Sequence, residues 1–250
     1  MKEISAICRT GRLARIRNNK TFKLKYMNKT ITARHLSIAL IAGSVWGFSE
    51  VALGAGIKSC AHLVSGSLMT GVALFFIAGT WAASRNILVP LLTVLIASIF
   101  KLLDAALLSL PVMSGAIGNP IFAFILEGLA FVGLILLFRN VKWNRKKGAL
   151  LGAGTALVAV GLFPLVKFAT GVPACVYPGS AMPLSVMFGP IAILLSAVTV
   201  PMGLYAGDKF GQRYETLAVN FRDRLVTRLL SPATAGVMIV MLIAFRSLVS

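Results

Sequence analysis

The sequence is poor in acidic residues, in cysteine and in histidine. Its 250 residues include 7 Asp or Glu, 3 Cys and 2 His, and charged residues of both signs make up only 13%. With 58% hydrophobic residues, this shortage of charge excludes an ordinary soluble domain and indicates a chain that is solvated by a bilayer. The cysteines, Cys8, Cys60 and Cys175, form no C-x-x-C pair, so neither a disulfide framework nor a zinc module is indicated.

Motifs of the common enzyme classes are also missing. The sequence has no G-x-x-x-x-G-K-[ST] loop, no H-E-x-x-H and no G-x-S-x-G, and Ser49 has no histidine in register on its own helix. We therefore expect a protein that is not an enzyme and that uses no cofactor.

Long apolar runs are abundant, and each is close to the ~20 residues that cross a bilayer. We expect an all-α integral membrane protein, a bundle of six core transmembrane helices with a seventh at the C-terminus. The predicted spans are 36–57, 62–82, 87–110, 120–138, 148–169, 184–206 and 232–249.

The placement of the basic residues predicts the topology. Net charge is +18, with 25 Lys or Arg, but these residues lie in the N-terminal arm and in alternate loops, which argues against a nucleic-acid partner and for contact with membrane lipid. The turns at 58–61, 111–119 and 170–183 carry a single charge, Lys58. We expect a multi-pass protein of the cell (inner) membrane with a cytoplasmic N-terminus. The basic loop residues are Arg85; Arg139, Lys142, Arg145, Lys146 and Lys147; and Lys209, Arg213, Arg222, Arg224 and Arg228.

Four segments are predicted along the chain. Residues 1–34 form a basic cytoplasmic arm, although a mitochondrial presequence or a translation start at Met27 would also fit the composition. Residues 35–206 form the six-helix membrane domain, and 232–250 form the seventh span. Between them, 207–231 is too polar to span and is predicted to be a cytoplasmic amphipathic segment.

The first span carries a stripe of small residues, Ala39, Gly43 and Gly47. Such a stripe lets another helix approach closely, so we predict that this face docks onto a partner subunit.

Five ionisable residues fall inside the predicted spans, all toward the half that faces outward in this topology. An ionisable residue in hydrocarbon is costly, about 2.5–3.5 kcal/mol at the centre of a helix, and is a functional candidate by default. Two interpretations are open. The charges are internal, with Lys101 paired to Asp104 and Glu50 or Glu127 either neutralising Lys167 or protonated, or they form a polar site that binds a ligand. The candidate ligand-binding residues are Glu50, Lys101, Asp104, Glu127 and Lys167.

A metal site is a weaker hypothesis. Cys60, His62 and Cys175 lie on predicted outer turns, and thiolate with imidazole suits a borderline divalent ion, although C-x-H is a weak spacing.

Three segments resemble the substrate-binding S components of energy-coupling factor (ECF) transporters. They are ALIAGSVWG in the first span, SGSLMTGVALFFIAG in the second and GNPIFAFILEG in the fourth, and the resemblance covers about residues 36–206. It implies a subunit that captures a vitamin, a vitamin precursor or an ion from outside. It also implies docking through Ala39, Gly43 and Gly47 to a scaffold transmembrane subunit that is coupled to ATPase subunits.

Three functions therefore compete at the level of sequence. The first is a solute-capture subunit that relies on partner subunits for ATP coupling. The others are a structural or assembly membrane protein and a proton-coupled secondary carrier in which Glu50 and Glu127 titrate.

Overall fold

The computed structural model describes residues 30–60, 64–138, 144–177, 179–219 and 221–249, without the side chains of 56–60, 218–219, 221–228 and 249. In these ranges the chain is helical apart from its turns and one isolated bridge between Val176 and Pro183. The predicted arm lies almost wholly outside the described residues. The long helices are α1 (Ala33–Cys60), α2 (Ser65–Ser84), α3 (Leu88–Leu107), α4 (Gly115–Leu137), α5 (Arg145–Leu162), α6 (Gly189–Val219) and α7 (Phe221–Val249).

Within the described residues, seven helical spans are long and apolar enough to cross a membrane, which confirms the predicted all-α membrane bundle. The fifth continues beyond α5 through a 3₁₀ turn at Phe163–Leu165, where Pro164 cannot supply the backbone donor that an α-helix needs, and ends in a short helix, Val166–Thr170. Because the helices alternate in direction, Arg34, Arg85, Arg145 and Arg213 meet at one end of the bundle, which we call the basic end.

The predicted amphipathic segment 207–231 is not a separate element. α6 runs on to Val219 and α7 already begins at Phe221, so this polar stretch forms the ends of two long helices. Two partly exposed ion pairs join the polar end of α6 to its neighbours: Arg85 pairs with Asp208, and Arg34 Nη1 lies 2.8 Å from Glu215 Oε1. The helix boundaries therefore differ from the predicted ones, and the cytoplasmic, amphipathic character of the segment stays a prediction.

The start of the sixth span also differs from the prediction. Leu184–Met187 is a short separate helix, and α6 begins at Gly189 rather than at 184. Pro190 occupies the first turn of α6, where its missing N–H costs nothing, and it disfavours helical geometry in the residue before it.

The tightest packing in the molecule joins α2 to α6 through glycines. Gly203, Gly207 and Gly211 recur every fourth residue on α6, and a Cβ at Gly207 would lie 2.0 Å from the carbonyl oxygen of Gly79 on α2. The same would hold at Gly203, where the carbonyl oxygen of Phe75 would be 2.3 Å away. Only residues without a side chain allow these two backbones to touch.

The small-residue stripe of α1 is also used inside the chain. A Cβ at Gly47 would lie 2.4 Å from Cβ of Phe100, and one at Gly43 would lie 2.7 Å from Cβ of Ile96. Ala39 is fully buried. The prediction that this face docks onto a partner subunit is therefore corrected, because α3 of the same chain already occupies the face.

The seventh helix is peripheral. Only 11% of its most apolar stretch is buried, and it packs mainly along α1, with Leu242 fully buried between Val51 and Phe100. The main core lies among the other six long helices and is built around Trp46, Leu74 and Phe131.

Candidate functional site

Three carboxylates are buried inside the bundle. Glu50 on α1 is 2% exposed, Asp104 on α3 is 1% exposed and Glu127, near the middle of α4, is 3% exposed. Asp104 contacts Lys101, Lys101 is the charged neighbour of Glu50, and Glu50 is that of Glu127. We call these four residues the buried charge cluster. Its members differ in whether the protein itself supplies a partner.

Asp104 is fully partnered. Arg246 of α7 donates from Nε to Oδ1 at 2.6 Å and from Nη2 to Oδ2 at 2.9 Å, and Lys101 Nζ lies 3.4 Å from Oδ2. A two-point guanidinium–carboxylate pair of this kind is the strong form of the interaction. For Asp104 and Lys101, the geometry matches the internal ion pair that the sequence left open.

Arg246 is the residue that sequence reasoning missed. Its position near the end of an uncertain span suggests a side chain that reaches the membrane surface, yet it points inward to Asp104. The depth of Arg246 in the membrane could have indicated this pair. α3 and α7 run in the same direction, and Asp104 and Arg246 both lie near the C-terminal ends of these helices.

Glu50 and Glu127 are not partnered in this way. Thr70 of α2 is the polar side chain near Glu127, and Lys101 is the cationic side chain near Glu50. Among the described residues, neither Oε2 of Glu50 nor Oε2 of Glu127 has a hydrogen-bond partner. A buried carboxylate oxygen without a donor is costly, so these two side chains are the chemically unexplained part of the cluster.

Close helix contacts place both glutamates. Gly47 seats α1 against Phe100, and this contact brings Glu50, one turn later, toward the neighbouring Lys101. Gly128, next to Glu127, lets α4 approach α3 closely, because a Cβ at Gly128 would lie 2.9 Å from Cγ2 of Val94 on α3. Glycine at these two positions thus lets α1 and α4 each pack closely against α3.

An aromatic layer borders the two glutamates. Trp46 precedes Glu50 by four residues and Phe124 precedes Glu127 by three, so each ring lies on the same helix face as its carboxylate. The centroids of these two rings are 4.8 Å apart. The ring of Phe76 on α2 stacks on Trp46, with the two centroids 6.4 Å apart. Within the described chain, Nε1 of Trp46 is buried without an acceptor.

Two hydroxyl groups on α6 are also buried. They belong to Ser196 and Thr199, and neither has a hydrogen-bond partner in the described part of the chain. The Thr199 hydroxyl would lie 3.9 Å from a Cβ at Gly71, the residue next to Thr70. Sequence reasoning passed over these hydroxyls because Ser and Thr in a span usually bond to their own helix.

Lys167 does not join the cluster. It lies on the short helix Val166–Thr170 with an exposed side chain, and its Nζ is 5.4 Å from the centroid of Phe168. Of the predicted ligand-binding residues, the structure therefore brings together Glu50, Lys101, Asp104 and Glu127.

The proposed metal ligands are only partly described. Cys175 is an exposed free thiol in the loop before the short helix Leu184–Met187. The side chain of Cys60 and all of His62 lie outside the described residues, so the metal hypothesis stays a prediction.

The arrangement can accept hydrogen bonds and positive charge from a bound group. Two carboxylate oxygens without donors, together with an indole donor and aromatic faces, offer a ligand what the protein itself does not supply. No protein-family model, no curated protein and no solved structure matches this chain. The sequence and the geometry assign it to the multi-pass α-helical membrane proteins.

Proposed function

We propose that this chain captures a small solute within the membrane, with Glu50 and Glu127 as its main contacts. The observation that carries the proposal is the pair of buried carboxylates on α1 and α4, each with an oxygen that has no donor among the described residues. Natural proteins pair almost all buried polar groups, so a pair left open inside a bundle marks a place for something else.

Asp104 and Lys101 belong to the cluster but are not proposed to contact the ligand. Arg246 and Lys101 hold Asp104, which fixes α3 against α7 and uses up most of the local positive charge. Glu50 and Glu127 then remain for a ligand. In the topology that the basic loops favour, the site lies in the outer half of the membrane and is filled from outside.

The resemblance to ECF S components supports the same class of protein, a capture subunit whose transport is driven by a scaffold and ATPases. Docking of such partners uses a surface other than the α1 stripe, which α3 covers. We place the protein in the cell membrane with its N-terminus in the cytoplasm.

Glutamine substitutions test the capture site. Purified wild-type protein should bind a solute from a panel of vitamins, their precursors, amines and ions without ATP, measured as a rise in melting temperature. Glu50→Gln and Glu127→Gln should weaken this binding, because each puts an amide NH₂ where a carboxyl oxygen meets the ligand, and a buried hydrogen-bonding group left without a partner costs about 1–3 kcal/mol.

Glu215→Gln is the matched control. The same chemical change there affects an exposed carboxylate at the basic end, paired with Arg34, and should leave binding intact. Equal affinity in all three variants, or no binding by the wild-type protein to any member of the panel, would refute the capture function.

A proton-coupled carrier is the second candidate, because the same two open carboxylates are also a possible proton pathway. Reconstitution separates the two. A capture subunit alone in liposomes should bind solute but not accumulate it under a pH gradient, whereas a carrier should accumulate it without any partner.

A further inference from the structure

The basic end of the bundle carries more positive charge than its own acids neutralise. The acidic side chains described there, Asp208 and Glu215, already pair with Arg85 and Arg34. The other described cations of this end are exposed and make no ion pair with any described residue: Arg145, Lys146, Lys147, Lys209 and Arg213. This end can therefore accept anionic groups from outside the protein.

Two of these cations meet at the basic end of the groove between α5 and α6. A Cβ at Gly148 on α5 would lie 3.5 Å from Cγ of Pro201 on α6, which sets the register of the two helices. Pro201, Tyr205 and Lys209 recur every fourth residue and so share one face of α6. Because the helices are antiparallel, Arg145, which precedes Gly148 by three residues, lies level with Tyr205 and Lys209.

The side chains on the two helices fit this placement. Lys209 Nζ lies 5.8 Å from the centroid of the Tyr205 ring, so the ammonium group is held beside the ring. Arg145 stands two turns before Gly152, where a Cβ would lie 2.1 Å from the carbonyl oxygen of Ser196, so it is on the side of α5 that faces α6. Both cations therefore flank one groove.

An apolar row on α6 continues from this pair toward the middle of the bundle. Leu194, Val198 and Met202 follow one another at intervals of four residues, and each of them, like Tyr205, is more than half exposed. In a membrane such a row faces acyl chains, and tyrosine is enriched at the level of the headgroups. The order along α6 is apolar, aromatic and cationic, which matches the chain, glycerol and headgroup of an anionic phospholipid. A soluble anion would use only the last part.

We infer that the basic end of the α5–α6 groove binds the headgroup of an anionic phospholipid. Arg145 and Lys209 contact its phosphate, Tyr205 lies at the level of its glycerol, and an acyl chain follows the apolar row of α6. Basic pockets between transmembrane helices are a known form of headgroup site. The inference does not depend on the proposed capture function, and it adds to general lipid contact the charge of the headgroup and its place.

Tryptophan quenching tests it on the full-length protein in phosphatidylcholine vesicles. Tyr205→Trp places a fluorophore in the groove, and brominated phosphatidylglycerol and brominated phosphatidylcholine are compared as quenchers, with the wild-type protein as background. The phosphatidylglycerol should bind at least about fivefold more tightly, the factor that one basic residue contributes near an anionic lipid. Phe168→Trp, an exposed ring beside Lys167 at the opposite end, should show a clearly smaller preference.

Charge variants in the Tyr205→Trp protein test the two cations. Arg145→Gln and Lys209→Gln should each lower the preference about fivefold, and Lys209→Arg should keep it. Lys147→Gln is the matched control. Lys147 stands two turns before Gly154, where a Cβ would lie 3.4 Å from Leu134 of α4, so it is on the other side of α5 and its loss should change little.

Other results would overturn the inference. Equal quenching by the two lipids at Tyr205→Trp would leave an acidic protein surface as the partner of these cations. An equal preference at Phe168→Trp, or an effect of Lys147→Gln as large as that of Lys209→Gln, would show diffuse attraction to a basic chain instead of a site. Loss of the preference when glycerol phosphate is added in solution would assign the groove to a free phosphate ester.

Discussion

At the scale of single residues, the buried charges do two different jobs. Asp104 is held by Arg246 and Lys101, so its charge is spent on holding α3 and α7 together. Glu50 and Glu127 have no comparable partner in the described chain and keep an open oxygen each. Burial alone does not distinguish the two kinds, since all three carboxylates are at most 3% exposed. They differ in whether charged side chains of the same chain bind them.

Asp104→Asn should destabilise the protein strongly. The substitution leaves the Arg246 guanidinium and the Lys101 ammonium buried without their counter-charge, and breaking a buried pair in this way costs about 3–5 kcal/mol. Thermal unfolding in detergent measures the loss. Asp208→Asn is the control, because its pair with Arg85 is 31% and 42% exposed and should contribute about 0–1 kcal/mol.

A double variant tests whether the lost ion pair is the cause of this destabilisation. Adding Arg246→Met to Asp104→Asn removes the orphaned guanidinium and should recover part of the lost stability. A double variant that is as unstable as the sum of its single variants would contradict the ion-pair explanation.

At the scale of elements, glycine decides which helices touch. α6 approaches α2 through Gly203, Gly207 and Gly211, and α1 approaches α3 through Gly43 and Gly47. Both stripes have the small-xxx-small spacing that permits backbone contact in membranes. The spacing says that a helix comes close, but not which helix or from which chain.

Gly207→Ala should lower stability by about 1–3 kcal/mol, the usual cost of overpacking, because the new methyl group would meet the Gly79 carbonyl at 2.0 Å. Gly133→Ala on α4 is the control, since a Cβ there has nothing within 4 Å. Melting temperatures of the two variants provide the comparison. Equal stability would contradict the α2–α6 packing.

Gly47→Ala tests the correction to the docking face. Because Phe100 of the same chain lies against Gly47, the isolated protein should lose stability with no partner present. Gly236→Ala on α7, where nothing lies within 4 Å of a new Cβ, should be tolerated. A Gly47→Ala protein that melts normally alone but fails to bind another subunit would restore the docking hypothesis.

At the scale of the whole molecule, the bundle is polarised along its axis. Arg34, Arg85 and Lys209 lie at the basic end together with the exposed start of α5, whereas Glu50 and Asp104 lie toward the opposite end. The charge distribution predicts that the basic end faces the cytoplasm. A site that fills from outside is then reached from the opposite end.

Native Cys175 tests this topology. It is an exposed free thiol in the loop between the short helices Val166–Thr170 and Leu184–Met187, on the side away from the basic end. In a variant that carries Cys8→Ser and Cys60→Ser, a membrane-impermeant maleimide should label Cys175 in intact cells, and adding Cys175→Ser should abolish that labelling. In the resulting cysteine-free background, Lys147→Cys should react only after permeabilisation. The reverse pattern would invert the proposed orientation.

The sequence by itself determined the class of the protein. Seven runs of suitable length, the near absence of charge within them and the alternation of basic loops predict a helical membrane bundle, because hydrocarbon tolerates only internally bonded backbones. It also pointed to Glu50, Asp104 and Glu127, since a carboxylate stands out among apolar neighbours.

Only the tertiary structure decided what those residues meet. Which face of a helix turns toward which neighbour depends on packing over the whole bundle, so the partnership of Asp104 with Arg246, 142 positions along the chain, is invisible to local periodicity. The same holds for the α1 stripe, which admits α3, and for α6, whose polar end is held by Arg34 and Arg85. What distinguishes Glu50 and Glu127 is the lack of a partner, and that property exists only in three dimensions.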